Sequence, residues 1–358
     1  MPNFSEGLRA DVIAAIASAA AASHVLDVDP DPDHHRVVIS LAALGGALLE
    51  GVLAAVGAAV ERIDVRAHKG VHPRVGAADV VPFVPLGQDT LDGARELAHE
   101  AGERIWSELK VPVYFYGYGE NRSLADIRAG RARPDLGGPH LHPTAGAVCV
   151  GARLTLVAFN VLLPELAVGA ARALARSLRE SRSGMRGVQA LVFELPGGRV
   201  QLSMNLFRVD ETPPAAVLAE LVRRGVTVGE QQLVGLCPTV AANEVAAGRL
   251  LEGRLAGAAA RAGAGRCREL GGEEHLALAV RLEREASGLA VLGVGQDELL
   301  AGGERAAALA PVLRVAGVLD AELEAMVGTA ARGLRAAIEP ATEAAYPARI
   351  AALDARLG

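Results

Sequence analysis

Cysteine is scarce in this chain: Cys149, Cys237 and Cys267 are spread through 358 positions. Their odd number and wide separation supply neither a disulfide framework nor a Cys-x-x-Cys metal site, so a reducing, cytoplasmic home is expected. Aromatic residues are few as well, 3% of the chain with one tryptophan, and the core has to rest on Leu, Val, Ile and Ala. A basic excess is missing. The 36 Lys and Arg against 42 Asp and Glu give a net charge of −6, which argues against an extended nucleic-acid surface but leaves room for a local basic pocket for a small anion. MPNFSEG has no basic stretch followed by an apolar run, so no cleavable signal is expected. The nearest thing to a membrane span, Val37 to Val60, carries Glu50 at its centre and breaks at Gly45 and Gly46. It splits better into a strand and a helix.

Chemistry concentrates in HKGVHPRVGAADVVPFVP, His68 to Pro85. Within nine positions lie His68, His72, Lys69, Arg74, Gly70, Gly76 and Pro73, a density of Gly and Pro that forbids a regular helix and predicts an irregular loop presenting polar side chains. His68 and His72 have the spacing of a helical metal pair, yet Gly70 and Pro73 oppose the helix such a pair needs. From the residues alone, a base, a metal ligand or a plain turn all remain open. The loop Asp27 to Arg36 is acidic and contains His34 and His35, but its spacing matches neither a calcium loop nor a zinc signature.

Periodicity sets the architecture. NFSEG reads as a polar turn, with Ser5 a candidate N-cap for a helix from Glu6 to Ala22. A strand at VLDV, a strand from Val37, a helix from Gly46 to Arg62, a strand from Asp79 to Val84, a helix capped by Asp89 or Thr90 and the strand VPVYFYGY follow. Asn121 to Pro143 is a basic loop, either solvated or an anion-binding flap, after which AVCVGA and LTLVAFNVLL are expected to complete the first layer. A helix from Pro164 to Arg182 leads into a second unit in which PGG joins two strands as a hairpin, then PPAAVLAELVRRG is helical and VTVGEQQLVGL is a strand. Beyond Ala241, Ala-, Leu-, Arg- and Glu-rich segments such as EEHLALAVRLEREASGLAVLG and DAELEAMVGTAARGLRAAI predict helices, with a loop from Gly263 to Gly272. The expected fold is α/β (α+β) in three parts: residues 1–163, residues 164–240 and an all-α extension, 241–358.

MPNFSEG, LDVDPDPDHHR, HKGVHPRVGAADVVPFVP, VPVYFYG, IRAG, VGARLTLVAFNVLL, QLSMNL and QLVGLCP follow one another as they do in the formiminotransferase domain of glutamate formimidoyltransferases. The chain resembles that family from Met1 to about Pro238. The resemblance implies two similar α/β sandwich subdomains with a folate tunnel between them. It also implies homodimers, and transfer of the formimino group of N-formimino-L-glutamate to N5 of tetrahydrofolate, in histidine degradation, without a metal. The tail does not resemble the cyclodeaminase domain of bifunctional relatives.

By motif, His72 of HPR is marked as the base, and Asp29, the second aspartate of LDVD, would lie near it. An amine nucleophile must lose a proton and the departing nitrogen must gain one, which an imidazole titrating near neutrality can serve. Arg36, Lys69, Arg74 and Arg128 are the expected contacts for substrate and folate carboxylates. Gly76 and Asn205, the asparagine of QLSMNL, complete the expected binding set. The chain departs from the family pattern at Val71, where relatives read an acid before HPR, at His35, in a shorter segment after IRAG, and at HPTAGAVCVGAR. Formyl transfer between glutamate and 5-formyltetrahydrofolate, or a folate binder without turnover, are the alternative expectations.

Overall fold

In a computed structural model of the protein, residues 1–43, 45–86, 89–120, 122–246 and 249–289 are described. The chain opens with β1 (Asn3–Phe4), α1 (Ala10–Ala19), β2 (His24–Asp31), β3 (Arg36–Ala42), α2 (Gly45–Arg62) and β4 (Ala78–Phe83). It continues with α3 (Leu91–Arg104), β5 (Val113–Gly117), α4 (Leu124–Arg128) and β6 (Val148–Ala152). The six strands form one sheet in the order β2-β3-β1-β4-β6-β5. β1 to β4 are joined antiparallel, while β6 runs parallel to both β4 and β5.

The start of the chain differs from the polar turn that NFSEG predicts. Asn3 and Phe4 pair with Val38 and Val37 on one side and with Val80 and Ala78 on the other, at the centre of the sheet. Phe4 is fully buried there, a gain of roughly 1.5–3 kcal/mol that a turn would forfeit. Ser5 does not cap α1. Its Oγ donates to Gly76 O at 2.7 Å, and the Glu6 carboxylate instead accepts the Leu8 and Arg9 N–H groups at 2.9 and 3.0 Å. Thr90 caps α3 as expected, its Oγ1 accepting from Gly93 N. One face of the sheet packs against α1, α2 and α3 around Phe4, Ile16, Ile39, Val56 and Ile105. The other face presents Val80, Tyr114, Tyr116 and Cys149.

The second sheet is built from β7 (Val157–Leu162), β8 (Val188–Leu195), β9 (Arg199–Leu206) and β10 (Gln231–Val234), with α5 (Val168–Leu178) and α6 (Pro214–Arg223). Its order is β10-β7-β9-β8, antiparallel throughout. β7 was expected to complete the first layer and does not. β6 already has a neighbour on each side, and the alternating Val157, Phe159 and Val161 bury instead against α5 and α6. The two sheets therefore divide between Ala152 and Val157, ahead of the boundary expected at residue 163. Gly197 and Gly198 take φ of 79° and 74° in the PGG turn between β8 and β9, the region where glycine is free of Cβ strain.

α7 (Leu251–Leu270) and α8 (Glu273–Leu289) pack on each other and on Leu26, Ala42 and Leu236. The loop expected over Gly263 to Gly272 is helical through Leu270, because Gly263, Ala264 and Cys267 are small enough to be buried in the close α7–α8 contact. The turn falls at Gly271 and Gly272, both at positive φ. The predicted helix DAELEAMVGTAARGLRAAI lies outside the described residues. Among the described residues, no helix is long and apolar enough to cross a membrane, and the Val37 to Val60 run is divided between β3 and α2.

Candidate active site

The turn between β2 and β3 and the loop 68–76 are fastened together by histidines. Asp31 accepts His34 N at 2.9 Å and faces its Nδ1 at 2.8 Å, which fixes the buried His34 ring. His35 adopts a left-handed φ of 50°, an uncommon conformation for a non-glycine residue, and stacks on His68 with ring centroids 3.8 Å apart. Its Nδ1 bonds Lys69 O at 2.9 Å and its Nε2 reaches the buried Glu6 carboxylate at 3.2 Å. His68 Nε2 lies 2.9 Å from His35 O. A side chain at Gly70 would press on His34 O and Arg74 Nη2, at 2.9 and 2.8 Å, so glycine allows the two loops to close.

His72 projects between these loops. Its Nδ1 lies 2.7 Å from Pro73 O, and its Nε2 is 2.8 Å from Arg36 Nη1. Phe193 of β8 offers a ring 5.7 Å away, and His34 approaches edge-on at 6.2 Å. Burial, and then the positive charges of Arg36 and Arg128, drive the imidazole down to about 2, against the smaller opposing effect of the Pro73 carbonyl. His72 is therefore neutral in this arrangement at any physiological pH.

His72 lines a small, narrow pocket together with Asn3, His34, Arg36, Arg74 and Asp79. Arg36 also donates to Asn3 Oδ1 through Nη2. Arg74 donates to His72 O at 2.8 Å and packs its other terminal nitrogen on His68 Nε2. Neither guanidinium has a carboxylate partner within ion-pair distance among the described residues. Arg128 differs. It pairs with the buried Asp79 at 2.7 Å, and the same carboxylate holds Val75 N at 2.5 Å, just past the HPR motif.

Of the expected residues, the structure thus brings together His72, Arg36 and Arg74, with Arg128 linked through Asp79. It does not bring Asp29 to His72: Asp29 Oδ2 accepts Gly235 N and pairs with Arg249, each at 2.8 Å. The Lys69 side chain is exposed. Gly76 is buried against Ala145 and Ala147, where a Cβ would overlap backbone oxygens, so its requirement is packing within the protein. Asn205 is exposed on β9 in register with Ala158 and Gln189, on the same face of the second sheet as Gln201 and Phe193, and is not among the residues lining the pocket. Sequence reading missed Asp79 and Phe193. Asp79 had a signal, being the acid of the GAADV run; Phe193 reaches the site from elsewhere in the chain and had none. Gln201, opposite Phe193 in the hairpin, buries an Oε1 with no partner.

Chemically, this is a neutral imidazole flanked by two guanidiniums with no carboxylate at ion-pair distance among the described residues, set where two α/β layers meet. Such a site is suited to holding a small anionic substrate beside an imidazole. Among the described residues, no group of three His, Cys, Asp or Glu could hold a metal. The comparisons agree with this class and narrow it. Residues 1–153 match the formiminotransferase domain, N-terminal subdomain, and the match stops where the first sheet ends. The chain is 36% identical over 272 residues to the glutamate formimidoyltransferase of Thermoplasma acidophilum, which covers 69% of this chain and 89% of that protein. It is 35% identical over 274 residues to the glutamate formimidoyltransferase of Streptococcus pyogenes serotype M1, covering 69% and 90%. The formimidoyltransferase-cyclodeaminase of Gallus gallus is 36% identical over 271 residues, which cover 66% of this chain but 49% of that protein. The chain belongs to the formiminotransferase family.

Proposed function

We propose that the protein transfers the formimino group of N-formimino-L-glutamate to N5 of tetrahydrofolate, with His72 as the base, as a step of histidine degradation and one-carbon metabolism. The observation that carries this reading is the placement of His72 between Arg36 and Arg74 in one cleft, on a chain of this family. The glutamate moiety brings two carboxylates, and Arg36 and Arg74 are the cations free to meet them. Phe193 offers a ring face to a flat pteridine beside His72.

The reaction balances without an outside reagent. N5 of tetrahydrofolate attacks the amidine carbon, forming the N5–C bond, and its proton passes to His72 Nε2. The tetrahedral adduct then breaks its C–N bond to glutamate, and the same proton goes to the departing nitrogen. Glutamate and 5-formiminotetrahydrofolate result, and His72 ends neutral. Tetrahydrofolate is a co-substrate in this scheme, and the chemistry calls for no metal. A cytoplasmic homodimer belongs to the same reading, and light scattering of the purified chain measures its assembly.

Incubating the full chain with N-formimino-L-glutamate and tetrahydrofolate should yield glutamate and 5-formiminotetrahydrofolate in equal amounts. His72→Ala should lower the rate by about 10²–10⁴-fold. Folate binding with no product, indistinguishable from the variant, would replace the enzyme with a binding protein.

A further inference from the structure

The contact between Arg36 and His72 fixes the protonation state of the ring. A guanidinium carries donors and no acceptor, so at 2.8 Å from Arg36 Nη1 the His72 Nε2 is the acceptor and holds no proton. Pro73 O can only accept, so Nδ1, 2.7 Å away, carries the hydrogen. The ring is the Nδ1–H tautomer, and its one lone pair is occupied by Arg36. A base in this state has nothing with which to take a proton.

Arg36, in turn, is held by weak partners. Its hydrogen-bonded neighbours, the Asn3 amide oxygen and the imidazole, are neutral. The acids around it are engaged elsewhere: Asp79 with Arg128, Asp31 with His34, Asp29 with Arg249. A largely buried guanidinium whose hydrogen-bonded partners are both neutral gains from a carboxylate, which adds charge–charge attraction and a planar two-bond fit to the hydrogen bond. Arg36 lines the same cleft as His72 and Arg74, so a carboxylate entering that cleft meets it.

We propose that Arg36 is a latch on His72 that the substrate's own carboxylate releases: the arriving anion draws Nη1–H away from Nε2 and unmasks the lone pair that takes the N5 proton. The proposal rests on the formimino-transfer reading and deepens it. Arg36 keeps all its protons throughout and acts by position. The other groups facing the ring stay in place: the His34 edge and the Phe193 face from the two sheets, the charge of Arg128 from α4, Pro73 O, and Arg74 on His72 O. Formation of an active base is thereby tied to occupancy by the donor.

The test follows His72 in the full chain carrying isotope-labelled histidine, with its signals assigned against His72→Gln. In the free protein the ring should be the Nδ1–H tautomer and resist protonation below its ordinary range. Arg36→Met should raise its pKa by about two pH units with no ligand present. L-glutamate, the dicarboxylate product, should raise it in the unaltered protein by removing the same contact. Equal titration of His72 in wild type and Arg36→Met, or no response to glutamate, overturns the latch. Turnover, measured separately, keeps the two readings apart: turnover without these shifts sinks the latch alone, and the shifts without turnover sink formimino transfer while the masking contact stands.

Discussion

Arg249 reaches back from the segment after the second sheet and pairs with Asp29 at 2.8 Å, while the same Nη2 bonds Asp27 at 2.9 Å and Nη1 bonds Leu233 O at 3.1 Å. The last strand of the second sheet, the start of the helical extension and the edge strand of the first sheet are joined by one side chain. Asp29 is thereby a fastening between layers.

Removing that fastening should be felt as stability. Arg249→Ala leaves the mostly buried Asp29 without its cation and Asp27 with only Arg254, at 3.8 Å, and should cost about 2–4 kcal/mol, read from urea unfolding of the full chain. Arg249→Lys keeps the charge but cannot bridge both acids as a planar fork, and an intermediate loss is expected. Stability equal to wild type in both variants would show that water replaces the pairing at no cost.

A second prediction concerns acid. Burial pushes the Asp31 carboxyl up, but the bonds from the His34 ring and backbone N–H outweigh it and hold the group at about 2. A carboxylate held below its unfolded value stabilises the fold fully above about pH 4, and that contribution is lost as pH falls towards 2. Asp31→Asn should therefore lower the urea midpoint at pH 7 and narrow its gap to wild type at pH 3. A gap that stays constant between those pH values would assign the effect to shape.

The two glycines of the site loop should part company. A Cβ on Gly76 overlaps the backbone oxygens of Ala145 and Ala147, which cannot yield without breaking the backbone bonds that join the segments ahead of β4 and β6, and Gly76→Ala should cost more than about 4 kcal/mol or abolish soluble expression. At Gly70 the contacts are the end of the Arg74 side chain, at 2.8 Å, and His34 O, at 2.9 Å, so Gly70→Ala should fold, with Arg74 displaced, the two loops held slightly apart and KM raised. Thermal melts and kinetics of the two variants separate these outcomes.

Arg74 is the cation most directly tied to the loop of the proposed base. Arg74→Ala should raise KM for formiminoglutamate by about tenfold or more, the loss expected for one charge-assisted contact, with a smaller effect on the melting temperature. Unchanged kinetics would remove Arg74 from substrate binding.

Most of the fold was legible because hydrophobic periodicity is a local property. Val37 to Ala43, Asp79 to Val84, the Thr90 cap and the PGG hairpin all follow from neighbouring residues, and the structure agrees at each. The errors fall where a partner distant in sequence decides. Asn3 and Phe4 are too short a strand to show a period, yet two flanking strands claim them. Val157 to Leu162 has the alternation of a strand but nothing that says which sheet it joins. Gly263 to Gly272 looked like a loop because glycine discourages helices; the close α7–α8 contact rewards its small size.

For the site, the sequence by itself determined the family, the histidine in HPR and the cations around it, because those residues lie in short motifs whose order alone is distinctive. Tertiary structure decided which of them meet. It set Arg36 on His72, left Arg36 and Arg74 with no carboxylate at ion-pair distance among the described residues, gave Asp29 to Arg249 and Arg128 to Asp79, and placed Asn205 on the face of the second sheet that carries Phe193. A motif fixes what a side chain can donate or accept, but which partner satisfies it is a competition among residues 36 to 222 positions apart, settled when two sheets pack.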